Sequence, residues 1–154
     1  MDTFRILVVD DEIDFLETII KRLEKRQLDV TGVESGEKAI ELVKEKLYDV
    51  VLLDIKMPGG MDGIETLREI KKLRPLTEVV LLTGHASIET SIEGMKLGAF
   101  DYLLKPIKLE DLILKLAAAF QKKDTHDQKI RSAKIKELLR YPSKVFDQIK
   151  ENDK

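Results

Sequence analysis

The stretch Val50-Val51-Leu52-Leu53-Asp54-Ile55-Lys56-Met57-Pro58 sets an acid directly after four unbroken apolar residues. A run this short and without alternation is the pattern of a strand buried on both faces, as in a parallel sheet covered by helices. Working outward, Ile6-Leu7-Val8-Val9 and Val79-Val80-Leu81-Leu82 repeat it, and Tyr102-Leu103-Leu104 is a shorter fourth segment. Stretches of helical period lie between them, for example Leu16, Ile19, Ile20 and Leu23, or Leu109, Leu112, Ile113, Leu116, Ala117 and Phe120. Asp29 to Val33 carries Thr31 and Gly32 and suits an edge strand. Five strand–helix units thus fill residues 5 to about 122, which predicts an α/β fold with a doubly wound, five-stranded parallel sheet. Local signals mark the boundaries: Ser35 as an N-cap, Asp62 with Glu65 as an acidic capping box, Gly98 and Pro75 as helix ends.

The chain has 154 residues, enough for one domain and a short appendage. Charged residues make up 36%, above the roughly 25% of an average domain, which implies well-exposed helices. The longest apolar run, Leu116 to Phe120, is far short of the roughly 20 residues that span a bilayer or the core of a signal peptide. A soluble, unexported protein without a membrane partner is expected. The chain has no cysteine, so disulfides, thiolate zinc sites, iron–sulfur clusters and cysteine nucleophiles are excluded, and a cytoplasmic location is expected. The net charge of -2 is unevenly spread: residues 1–120 hold 17 basic and 23 acidic side chains, residues 121–154 hold 10 and 6. An acidic body argues against a broad nucleic-acid surface, and direct DNA binding is left at most to the basic tail.

In doubly wound sheets ligands bind beyond the carboxyl ends of the strands, where the strand order reverses. Asp10, Asp11, Asp54, Thr83 and Lys105 stand at those ends. Three converging carboxylates repel one another unless a cation intervenes. Magnesium suits them, because it takes a few carboxylates, keeps waters and completes its octahedron with phosphate oxygens. Taken singly, such acids are as readily helix N-caps, as Asp11 and Asp62 could be. Lys105 adds a compact cation and Thr83 a hydroxyl donor, and the set suits a phosphoryl group. Asp54 is the better placed nucleophile, with Asp10 and Asp11 as metal ligands.

The chain resembles the receiver domains of two-component response regulators. The motifs are Val9-Asp10-Asp11-Glu12, Leu53-Asp54-Ile55-Lys56-Met57-Pro58, Met61-Asp62-Gly63, Leu82-Thr83-Gly84 and Gly98-Ala99-Phe100-Asp101-Tyr102-Leu103-Leu104-Lys105-Pro106. They cover residues 4 to about 121. The resemblance implies a flavodoxin-like sheet of strand order 2-1-3-4-5, with a receiver at residues 1–121 and a helical extension or linker at 122–154. It implies that Asp54 is the phosphoacceptor, fed by a sensor histidine kinase or phosphotransfer protein. Asp10, Asp11, Asp54 and the backbone carbonyl of Lys56 would bind Mg2+, and Thr83 and Lys105 would hold the phosphoryl oxygens. It also implies a cis Lys105–Pro106 bond and a switch in which Thr83 moves and Tyr102 turns inward. The readout face would be the fourth helix, fifth strand and fifth helix, meeting an output protein or a second copy of the chain. Lys56 and His85 occupy positions that in the family influence how fast water attacks the acyl phosphate, so the resemblance implies that they tune its lifetime.

The loop Met57-Pro58-Gly59-Gly60-Met61-Asp62-Gly63 carries one glycine more than the usual run, which predicts a longer and looser loop. No Gly-Lys-Ser/Thr follows it, so it is not a nucleotide loop. Beyond Phe120, polar Gln121 to Asp127 precede Ile130, Ile135, Leu138 and Leu139, then Tyr141-Pro142, then Val145, Phe146 and Ile149. Two short amphipathic helices separated by a proline are expected there, too small for a DNA-reading domain. The leading reading is a phosphoaccepting switch, not an enzyme, either stand-alone or as the receiver fragment of a longer transcriptional regulator. An aspartyl-nucleophile phosphatase would need a second acid two residues after the nucleophile, where Lys56 stands. A flavin module would need a phosphate loop after the first strand, where Asp10-Asp11-Glu12-Ile13-Asp14 would repel an anion.

Overall fold

The computed structural model describes residues 4–84 and 88–140. Strands β1 (Arg5–Val9), β2 (Asp29–Val33), β3 (Val50–Asp54), β4 (Glu78–Thr83) and β5 (Asp101–Leu104) alternate with helices α1 (Ile13–Glu24), α2 (Gly36–Glu45), α3 (Gly63–Leu73), α4 (Ile88–Lys96) and α5 (Leu109–Arg140). The strands form one parallel sheet in the order β2-β1-β3-β4-β5. The order reverses between β1 and β3, as the resemblance to receiver domains implies.

The unbroken apolar runs exist because the sheet has two covered faces. Leu7, Val9, Val51, Leu53, Val79 and Leu81 pack with Ala39, Ile40 and Val43 of α2 and Leu67 and Ile70 of α3. The alternate residues Ile6, Val8, Val50, Leu52, Val80 and Leu82 pack with Leu16, Ile19 and Leu23 of α1 and Leu112, Leu116, Ala119 and Phe120 of α5. Each large side chain so buried contributes roughly 1.5–3 kcal/mol, which commits β1, β3 and β4 to the centre of the domain. β2 lies at the edge and is only half-buried, in keeping with its Thr31 and Gly32.

Two caps fix where helices begin on this frame. Ser35 Oγ accepts from the Lys38 N–H at 3.3 Å, and an Asp62 carboxylate oxygen accepts from the Glu65 N–H at 2.8 Å. Immediately after Asp62, Gly63 lies against the end of β3, and a Cβ there would sit 2.5 Å from both the Asp54 carbonyl oxygen and the Ile55 Cα. These are backbone atoms that cannot turn aside. Gly63→Ala is therefore expected to lower stability by about 2–3 kcal/mol, read as a shift of the urea midpoint at unchanged slope.

By contact density the chain divides into two units, Met1–Lys123 and Asp124–Lys154. The first contains the whole sheet. In the second, the described residues 124–140 are helical and belong to α5. The first of the two short helices expected beyond Phe120 is thus helical, but as a continuation of α5; the second, expected after Pro142, lies outside the described residues. Residues 109–140 contain neither glycine nor proline and are rich in Lys, Glu, Gln, Ala and Leu, so nothing in them interrupts a helix. Tyr141, Pro142, Val145, Phe146 and Ile149 lie outside the described residues.

Candidate functional site

The topology delivers the strand-end residues to one edge. Val9 is level with Leu53, Asp54 with Leu82, and Thr83 with Leu104, so the residues that follow β1, β3, β4 and β5 emerge side by side. Backbone bonds hold the connections: the Ile55 N–H donates to the Leu82 carbonyl at 3.0 Å and the Lys105 N–H to the Thr83 carbonyl at 2.7 Å. The Lys105–Pro106 bond is cis.

Asp10, Asp11 and Asp54 offer carboxylate oxygens that lie within 4.8 Å of one another. Asp10 is fully buried and Asp54 is 5% exposed. Lys105 Nζ donates to Asp10 Oδ2 at 2.8 Å and stands 3.6 Å from Glu12 Oε1 and 3.7 Å from Asp54 Oδ2. The other Asp10 oxygen accepts from the Glu12 N–H at 2.9 Å, and Asp54 Oδ1 from the Lys56 N–H at 3.3 Å. One ammonium thus faces three clustered carboxylates, with Glu12 at the rim.

The electrostatic cost is visible on Asp54. Burial and then the Asp10 charge push its carboxyl up to about 7, against the opposing pull of Lys105 and the Lys56 N–H. Burial likewise raises Asp10, although the Lys105 hydrogen bond opposes it. For Lys105 burial acts downward, but the Asp10 hydrogen bond and the charges of Asp54, Asp10 and Glu12 outweigh it and leave the ammonium harder to deprotonate. Hard oxygen donors with an excess of negative charge are the donor set of a small divalent cation, and Asp10, Asp11 and Asp54 fit one.

Thr83 is buried at the end of β4, with its hydroxyl donating to the Gly84 carbonyl at 3.0 Å. Tyr102 lies on edge strand β5 and is 38% exposed, so its ring is on the outside of the sheet. Lys56 is exposed beside the acid cluster, and His85 lies outside the described residues. The lengthened loop is held at both feet. Met57 is buried, and the Met61 N–H donates to Glu37 Oε1 at 2.6 Å, a bond that lowers the Glu37 pKa. Gly59, at φ +82 with open space around it, forms the exposed tip, so the extra residue extends the loop outward while its ends stay fixed.

Three participants escaped the reading of the sequence. Glu12 meets Lys105, Glu37 secures the loop across 24 residues, and the ring of Phe15 lies under the Lys105 ammonium, 4.5 Å from its centroid. Phe15 left one signal: it is an aromatic one residue off the apolar stripe of α1, four positions after Asp11.

Comparison with known proteins agrees with this fold. A family model for the response regulator receiver domain matches residues 6–117. The chain is 42% identical over 111 residues to the transcriptional regulatory protein ZraR of Escherichia coli (strain K12), which covers 72% of this chain and 25% of ZraR. It is 32% identical over 154 residues to the uncharacterized transcriptional regulatory protein YkoG of Bacillus subtilis (strain 168), which covers 100% of this chain and 67% of YkoG. A solved response regulator receiver domain protein from Clostridium thermocellum superimposes with a TM-score of 0.76 at 38% identity, covering 79% of this chain and 98% of that one. The chain spans about a quarter of the length of the ZraR proteins it matches.

Proposed function

Since the chain belongs to the response regulator receiver domain family, we propose that it is a phosphoaccepting switch whose acceptor is Asp54. The observation that carries this reading is the position of Asp54 at the end of a central strand, within 4.8 Å of carboxylate oxygens of Asp10 and Asp11 and 3.7 Å from the Lys105 ammonium. An Asp54 oxygen attacks the phosphorus of a phosphohistidine on a sensor kinase or phosphotransfer protein. The new P–O bond forms as the P–N bond breaks, and the imidazole leaves with the electron pair. Lys105 and the Thr83 hydroxyl take the equatorial oxygens, for which Thr83 must give up its bond to the Gly84 carbonyl. Asp10, Asp11, Asp54 and the Lys56 carbonyl would hold Mg2+, which when bound would supply positive charge to offset the carboxylates and the phosphoryl oxygens. Lys56 and His85 would set how quickly water removes the group.

Chemistry confined to its own side chain makes the protein a switch and not a turnover enzyme. Where an aspartyl phosphatase would carry its general acid, Lys56 stands, exposed and basic. Output would run through α4, β5 and α5, on which Ile88, Ile92, Met95, Tyr102 and Leu104 are exposed. The names of the ZraR and YkoG relatives favour a transcriptional output, as part of a longer regulator or through a partner. Among the described residues no helix is long and apolar enough to cross a membrane, which is compatible with the cytoplasmic setting of such switches.

The decisive experiment is the intact mass of the protein after acetyl phosphate with and without Mg2+. A gain of one phosphoryl group that requires Mg2+ is expected, and no gain under either condition overturns the reading. Tyr102→Ala is expected to leave this uptake intact but to weaken the phosphorylation-dependent change on β5 and α5, followed by amide hydrogen exchange. An unaltered exchange response removes Tyr102 from the switch.

A further inference from the structure

We propose that Phe15 is a positioning residue for Lys105, its ring face holding the ammonium at the mouth of the acid cluster without occupying the N–H donors that a phosphoryl group needs. The inference rests on the reading of Asp54 as phosphoacceptor and adds a residue that the sequence motifs do not contain.

Among the described residues, the Lys105 ammonium is met by Asp10 at 2.8 Å, Glu12 at 3.6 Å, Asp54 at 3.7 Å and the Phe15 centroid at 4.5 Å. The side chain is 19% exposed, so little water reaches it. An ammonium has three N–H donors in fixed number, and the carboxylates compete for them. A phenyl face attracts the cation through its quadrupole, yet offers no lone pair of the kind a carboxylate oxygen does. The ring therefore steadies the charge from one side and leaves donors for phosphoryl oxygens on the other. A carboxylate in its place would hold the ammonium away from Asp54, as Asp10 already does. Phe15 can serve in this way because of where α1 begins. It lies in the first turn of the helix that follows Asp10-Asp11, and it packs partly buried against Leu16, Ile19 and the rest of that face of the core. The loop that presents the carboxylates thus also fixes the ring beneath their counter-charge.

The test compares Phe15→Leu and Phe15→Tyr, each with Lys105 present and in a Lys105→Met background, by the rate of phosphoryl uptake from acetyl phosphate with Mg2+. Phe15→Leu is expected to slow uptake about fivefold, Phe15→Tyr to restore most of the rate, and Phe15→Leu to change little once Lys105 is gone, the coupling expected of residues in contact. A second arm does not depend on activity. The chain has no tryptophan, so Phe15→Trp introduces a single indole, whose emission is expected to change when Lys105→Met removes the ammonium from its face. Equal rates for wild type and Phe15→Leu, or the same loss in the Lys105→Met background, would make Phe15 a packing residue and overturn the proposal, as would an emission that ignores Lys105→Met. Wild-type protein that takes up no phosphoryl group contradicts the phosphoacceptor reading itself, while the emission arm still reports on the ring–ammonium contact.

Discussion

Asp54→Asn takes up no phosphoryl group from acetyl phosphate, where wild-type protein gains one in the presence of Mg2+. The expected loss in rate is at least about 100-fold, because an amide oxygen cannot form the acyl phosphate and the neighbouring acids are poor substitutes. Asp10 is fully buried, with one oxygen accepting from Lys105 and the other from the Glu12 N–H. Lys105→Met should also be slowed, but less, since it stabilises the transferring oxygens without forming a bond to phosphorus. Intact mass against time separates the three proteins. Full uptake by Asp54→Asn would move the acceptor elsewhere.

The same substitution raises stability. The Asp54 carboxyl sits at about 7 in the folded protein, against about 3.9 for an unfolded aspartate. The folded state therefore holds its proton more tightly than the unfolded state, and stability falls as pH rises between those values. Below about pH 4 the group is protonated in both states and costs nothing; above about pH 7 the whole penalty of a buried, repelled charge is present. Asp54→Asn removes it, so the variant should exceed wild type by about 2 kcal/mol at pH 8 without divalent cation, and by almost nothing at pH 4. For a domain of this size that is several degrees in melting temperature. Mg2+ should narrow the gap by stabilising wild type more than the variant. A wild-type melting temperature at or above that of Asp54→Asn at pH 8 without Mg2+ would mean that the cluster is not strained. The opposing effects on uptake and stability are the signature of a site kept charged for chemistry at the expense of the fold.

Most of this architecture was legible in the chain. The runs at 6–9, 50–53 and 79–82 can be satisfied only between two apolar layers, and residues directly after such strands must emerge at one edge of a parallel sheet. That places Asp10, Asp54, Thr83 and Lys105 together before any coordinates are known. The caps at Ser35 and Asp62 are equally local, because a side chain reaching the N–H three residues ahead depends on nothing distant. The helix expected around Ile130 to Leu139 is a continuation of α5, which runs on to Arg140, because helix continuity depends on the absence of a breaker and not on polarity at Gln121 to Asp127.

What the sequence by itself determined is the alternation of elements, the burial of β1, β3 and β4 on both faces and the identity of the strand-end residues, since each follows from local periodicity and from the need to bury apolar side chains; the sheet order was implied by the resemblance to receiver domains. Only the tertiary structure decided which carboxylate Lys105 prefers across 95 residues of chain, that Phe15 underlies its ammonium, and that Glu37 anchors a loop 24 residues away. These depend on distances of a few ångströms between elements, where Coulomb and hydrogen-bond energies change steeply, and no spacing along the chain encodes them.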